Sequence, residues 1–178
     1  MPSLRTPALL AALALSPSPS LAQNTGYLKL DGHQDCMRVL SLQGLSGVDS
    51  YSIDLWVRSS SAGSSDKCVV VGSEPSTKWE VNASCGIPDV TFAEQTPGGH
   101  ASSQVAIDIC DGQWHHLALV SDGATITGYL DGVCVDSAPA LGTTWHMDGR
   151  ELVAGARIGG NEDNWNGDLD ELRLWRRA

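Results

Sequence analysis

Apolar and polar residues alternate along much of this chain with a period of two. The clearest run is Tyr51-Ser52-Ile53-Asp54-Leu55-Trp56-Val57-Arg58. Tyr51, Ile53, Leu55 and Val57 share one face, and Ser52, Asp54, Trp56 and Arg58 share the other. That is the pattern of a strand with one buried face. Lys67 to Gly72, Lys78 to Asn82, Pro88 to Glu94 and the β-branched run Val105 to Ile109 are further predicted strands. Between Trp114 and Ser137 the pattern predicts a β-meander. Trp114 to Val120 leads to an Asp122-Gly123 turn, Ala124 to Leu130 returns, and Asp131-Gly132 turns again into Val133 to Asp136. Leu152 to Ile158 and Asp168 to Trp175 close the series.

No segment carries a capped amphipathic stripe of helical period. Ser59 to Asp66 and Thr96 to Gln104 are rich in small polar residues and read as exposed loops. Short strands without helices predict an all-β sandwich, and no Pro-rich linker divides it. The start of the chain reads differently. One Arg, the apolar run Pro7 to Leu15 and the small residues ending at Ala22 have the order of a secretory signal peptide over residues 1–22, leaving a domain over 23–178. The apolar run is about half the ~20 residues that a membrane span needs. The reading is therefore a secreted protein without membrane insertion.

A net charge of -10 argues against a nucleic-acid partner, which would require a basic face. The five cysteines are Cys36, Cys68, Cys85, Cys110 and Cys134. They lack the paired spacing of a zinc site and suit disulfides in a secreted chain. Cys68 and Cys85 flank one predicted hairpin, which points to a bond between them. The odd cysteine is either a buried thiol or a link between two copies, which would make a homodimer.

Four landmarks in order resemble the laminin-G-like jelly roll of the concanavalin A-like lectin/glucanase superfamily. They are Tyr27-Leu28-Lys29-Leu30-Asp31-Gly32; Tyr51 to Arg58; Gln113-Trp114-His115-His116-Leu117-Ala118 with Gly128-Tyr129-Leu130-Asp131-Gly132; and Arg157-Ile158-Gly159-Gly160 with Gly167-Asp168-Leu169-Asp170-Glu171-Leu172-Arg173-Leu174-Trp175. The resemblance implies a two-sheet antiparallel jelly-roll sandwich, one sheet of it concave. It also implies a glycan or an extracellular protein as ligand and a structural calcium ion.

The residues themselves offer several chemistries. Trp56 shares a strand face with Asp54 and Arg58, the mixture of ring and hydrogen-bonding groups that suits a sugar. Trp145 and Trp165 are predicted in loops and join it as ligand-binding candidates, whereas Trp114 is expected in the core and Trp79 near a loop. For each candidate the alternative is a core or loop-anchoring tryptophan. Calcium needs six to eight oxygen ligands. If the first and last strands lie side by side, Asp31 and Asp170 meet as metal ligands; Asp35 and the loop Asn161-Glu162-Asp163-Asn164 are further oxygen donors. The alternative for Asp31-Gly32 is turn chemistry alone. Asp168 and Asp170 share a face but lack the Glu-x-Asp-x-x-Glu signature of the superfamily's glucanases, since position 173 is Arg. No nucleophile elbow occurs, and the adjacent His115 and His116 point to opposite faces. The sequence thus reads as a non-catalytic binding module. A self-associating adhesion protein and a glycosidase-like enzyme are the alternatives.

Overall fold

Turn residues with left-handed backbone and strands with one apolar face fold this chain into two antiparallel sheets. The computed structural model describes residues 26–40, 50–60, 68–74, 78–86, 88–96, 99–141, 151–157 and 163–178. Numbered in chain order, the first sheet contains β1 (Leu28–Asp31), β12 (Asn166–Trp175), β3 (Tyr51–Arg58), β8 (His115–Ser121), β9 (Thr125–Leu130) and β10 (Val133–Pro139), side by side in that order. The second contains β2 (Met37–Val39), β11 (Glu151–Ala154), β4 (Cys68–Glu74), β5 (Lys78–Ser84), β6 (Asp89–Thr96) and β7 (Gly99–Val105). Every pairing is antiparallel. No helix among the described residues is long and apolar enough to cross a membrane.

The alternating faces of β3 behave as the pattern demands. Tyr51, Ile53, Leu55 and Val57 are buried, while the residues between them are half-buried. With Leu117, Leu119 and Ile126 they face Trp79, Val81, Phe92 and Leu152 from the second sheet. The packing is tight where β9 meets β6. A Cβ on Gly128 would stand 2.2 Å from a Phe92 ring atom, so only a glycine fits there. Among the described residues two acidic side chains, Asp89 and Glu94, lie inside. Glu94 is buried and accepts hydrogen bonds from the Tyr51 hydroxyl at 3.1 Å and the Leu141 amide at 3.2 Å. Burial pushes the Tyr51 hydroxyl pKa well up, and the Glu94 charge adds to the effect.

The meander between β8 and β10 matches its prediction, with two different turns. Asp131 and Gly132 both have positive φ and join Leu130 to its partner Val133, the two-residue type I′ geometry. The β8–β9 turn is longer, and Asp122 closes it by accepting the amides of Ala124 and Thr125.

Two predicted segments change. Thr96 to Gln104, expected as a loop, instead holds the end of β6 and most of β7. Its polar residues fill the solvent-facing positions, while Ala101 and Ser103 turn inward. Val105 to Ile109, expected as a strand, has only its first residue in one. The cysteine pairing also changes. Cys85 bonds to Cys110, across a Cα separation of 5.4 Å, and not to Cys68. The β4–β5 hairpin does form, but its register sets Cys68 opposite Ala83, so Cys85 lies past the paired residues. The bond therefore ties the end of β5 to the segment that leads into β8. Residues 1–22 of the predicted signal peptide lie outside the described residues.

Candidate functional site

The site begins with where the aromatic residues go. The chain has six Trp, three Tyr and one Phe. Trp79, Trp165, Tyr51 and Phe92 are fully buried, and Trp145 lies outside the described residues. The remaining five, Tyr27, Trp56, Trp114, Tyr129 and Trp175, all lie on the outer face of the first sheet.

Strand register sets their positions. Asp170, Trp56 and His116 form one row across β12, β3 and β8. The next row is Arg173, Asp54, Ala118, Tyr129 and Cys134. Trp175, Ser52, Val120 and Thr127 form the row after that. The rows stay aligned because β12 carries a bulge between Asp170 and Arg173, with Glu171 at φ 49°. An extra residue in one strand shifts its alternation. Leu169 before the bulge is buried, and both Arg173 and Trp175 after it reach the outer face.

Asp54 is the hub of this face. Its Oδ2 accepts the Trp175 indole N–H at 2.6 Å. Its Oδ1 lies 3.3 Å from His116 Nε2 and 3.4 Å from Arg173 Nη1. Trp56 and His116 stand side by side, ring centroids 5.2 Å apart. Trp175 carries Arg177 5.2 Å from its ring centre yet remains 39% exposed.

A second cluster on the same face is already filled. The Arg58 guanidinium donates twice to Asp168 Oδ2, at 2.9 and 2.6 Å. It also sits 4.7 Å from the Trp114 ring centre and 5.3 Å from that of Tyr27. Arg58 therefore clasps the segment before β1 to the segment before β8. Beside it, His115 Nδ1 meets Asp131 at 2.9 Å and Nε2 meets Asp111 at 3.2 Å.

Of the sequence candidates, Asp54 and Trp56 come together as expected, and Arg58 shares their face in its own cluster. Trp165 does not join them. It has no exposed surface and packs in the core, where a Cβ on Gly167 would come within 2.7 Å of its ring nitrogen. It is the loop-anchoring tryptophan that the sequence left as the alternative. Trp114, expected in the core, is instead half-buried on the outer face, because it shares strand parity with His116 and not with Leu117. Trp79, expected near a loop, is a core residue of β5. Sequence reading missed Trp175, Arg173, His116 and Tyr129. The meander register could have supplied His116 and Tyr129, but the bulge hid the other two.

Asp31 and Asp170, the two metal candidates, stand apart, and Asn161 and Glu162 of the acidic loop lie outside the described residues. β1 and β12 are neighbours as expected, but Asp31 pairs with Asn166, four residues from Asp170 along β12. Four residues of strand span about 13 Å. Asp31 Oδ1 instead accepts the His33 amide at 2.8 Å, which is turn chemistry. Asp163 lies 3.6 Å from Arg157. Among the described residues no three His, Cys, Asp or Glu side chains gather to hold a metal ion.

A family profile described as the concanavalin A-like lectin/glucanases superfamily matches residues 23–178. No curated protein sequence matches the chain. Among solved structures, it is similar to a native heptameric SAP-like pentraxin from Limulus polyphemus, at 18% identity and a TM-score of 0.61 over 84% of this chain and 75% of that one. It is similar to domain 4 of an extracellular arabinanase from Geobacillus stearothermophilus, in complex with arabinotriose, at 20% identity and a TM-score of 0.67 over 84% and 69%. A third likeness is to domains LG4-5 of the mouse laminin alpha1 chain, at 18% identity and a TM-score of 0.63 over 85% and 42%. At these identities the likeness is one of fold.

Proposed function

This chain belongs to the concanavalin A-like lectin/glucanases superfamily, and from that premise we propose that it is a secreted, non-catalytic binding module for a glycan or an extracellular protein. The observation that carries this reading is the gathering of Tyr27, Trp56, Trp114, Tyr129 and Trp175 on the outer face of one sheet. Tyr27 and Trp175 are exposed and the other three half-buried, and accessible rings beside carboxylates and guanidiniums are the materials of a recognition surface. A catalytic pair finds less support. Asp168 is neutralised by Arg58, and Asp170 Oδ1 accepts the amide of Glu171 at 2.8 Å. Domain 4 of the arabinanase, similar in fold, was solved in complex with arabinotriose, which supports a sugar among the candidate ligands.

The test is a thermal-shift and biolayer screen of the exported protein against a glycan panel and purified extracellular-matrix proteins. Ligand-dependent stabilisation by one class is the expected result. No stabilisation and no binding by either class would overturn the reading. Intact-mass spectrometry of the exported protein is expected to show a chain beginning at Gln23; a chain that keeps Met1 would overturn the secretory part.

A further inference from the structure

We infer that the outer face of the first sheet, between Trp175 and Tyr129, is a site for a short neutral oligosaccharide, with Asp54 as the acceptor for its hydroxyls. The inference rests on the binding reading above and deepens it by naming the site and the ligand class.

The shape comes from the register. Ala118, Val120 and Thr127 give this part of β8 and β9 a floor of modest side chains, and beside them the Ser52 hydroxyl donates to the Arg177 carbonyl at 2.6 Å, so the C-terminal segment borders the floor there. Larger groups stand around it: Trp56 and His116 on one side, Trp175 at the β12 end and Tyr129 at the β9 end. From β12 to β9 is three strand spacings, about 14 Å across. That is room for roughly two or three sugar rings lying across the strands.

The chemistry of the rim favours a sugar. Sugar rings carry apolar C–H faces that pack on indole and phenol, and hydroxyls that need acceptors between those contacts. The Asp54 carboxylate is set between the rings. An ionised carboxylate accepts about four hydrogen bonds. Here one position holds the short contact to Trp175, and the other contacts, to His116 and Arg173, are long. The hydrogen bond to Asp54 also fixes the Trp175 ring before any ligand arrives, which lowers the ordering cost of binding.

Charge narrows the class. Asp54, Asp170 and Glu171 stand on this face against the guanidiniums of Arg173 and Arg177, while Arg58 pairs with Asp168 and His115 with Asp131. Arg173 is itself engaged by Glu171 and Asp54. On a chain of net charge -10, this face repels sulfated and sialylated glycans. A neutral ligand brings no such penalty.

The experiment is microcalorimetry of the full-length exported protein with arabinotriose, cellotriose and mannotriose, beside sialylated and sulfated trisaccharides. At least one neutral trisaccharide is expected to bind, with little dependence on salt. Trp56→Ala, Trp175→Ala and Asp54→Ala are each expected to weaken it about tenfold or more. Trp175→Phe, which keeps a ring but loses the N–H, is expected to fall between Trp175→Ala and the parent. His100→Ala, on the exposed side of β7 in the other sheet, serves as a control for a variant that keeps binding. Circular dichroism confirms that each variant is folded, and if Asp54→Ala is not, Asp54→Asn is read in its place. Neutral-sugar binding that survives all three alanine variants would place the ligand elsewhere and overturn this inference while leaving the binding reading intact. So would tighter binding of the acidic sugars. Failure of every trisaccharide beside binding of an extracellular protein that Trp56→Ala abolishes would give the face to a protein. A dimer in sedimentation that dissociates with the same variant would give it to a second copy. Failure of every glycan and protein would overturn both readings.

Discussion

His115 has a carboxylate on each ring nitrogen, Asp131 on Nδ1 and Asp111 on Nε2. A neutral imidazole has one N–H and satisfies only one of them; the imidazolium donates to both. Partial burial works against the charge, but the hydrogen bonds to Asp131 and Asp111 outweigh it and the pKa rises. Stability from this group is therefore fully present below the unfolded value of about 6.5 and is lost as pH climbs through the higher folded value. The parent should lose thermal stability between pH 6 and pH 8 by differential scanning fluorimetry, and His115→Gln should flatten that slope. An unchanged slope would show that other groups set it. A second residue argument concerns volume alone. Gly128→Ala sets a methyl 2.2 Å from Phe92, and overpacking of this kind costs about 1–3 kcal/mol. Urea unfolding should show that loss, and adding Phe92→Leu should return part of it. A second substitution that only adds further loss would mean that the ring is not the obstacle.

At the scale of elements, the disulfide is the strongest constraint that sequence reading misplaced. Cys85 and Cys110 are 25 residues apart. Closing a loop of that size removes chain entropy worth about 3 kcal/mol. The paired substitution Cys85→Ser and Cys110→Ser should cost that order of stability in denaturant, and dithiothreitol should do the same to the parent without affecting the double variant. Other elements were legible to different degrees, for physical reasons. β3 and the β8–β10 meander could be read because one face is apolar and the turns carry Asp-Gly. β7 could not, because Gly99-His100-Ala101-Ser102-Ser103-Gln104 buries only small side chains and shows no apolar stripe. The cysteine pairing was hidden because β5 ends one residue before Cys85, and nothing local says which segment passes that end. The site was half legible. Asp54 and Trp56 follow from alternation, but Trp175 reaches them only through a bulge, and a one-residue slip moves every later side chain to the other face.

The whole molecule carries 21 acidic against 11 basic residues, for a net charge of -10 and an isoelectric point near 4.7. Two effects of opposite sign follow. Exposed pairs such as Arg38–Glu151 and Arg157–Asp163 attract, but such pairs are worth about 0–1 kcal/mol each and salt weakens them. The surplus acid groups repel one another over the whole surface, and folding holds them closer together than the unfolded chain does. Raising ionic strength from about 10 mM to about 100 mM shortens the screening length from about 30 Å to about 10 Å. Repulsion spread over the molecule is then cut more than contact pairs a few ångströms apart. Net charge should therefore win, and the melting temperature at pH 7 should rise with sodium chloride. Near pH 4.7 the surplus is gone, so the same addition should leave the melting temperature flat or lower it. A fall with salt at pH 7 would mean that the attractive pairs outweigh the surplus.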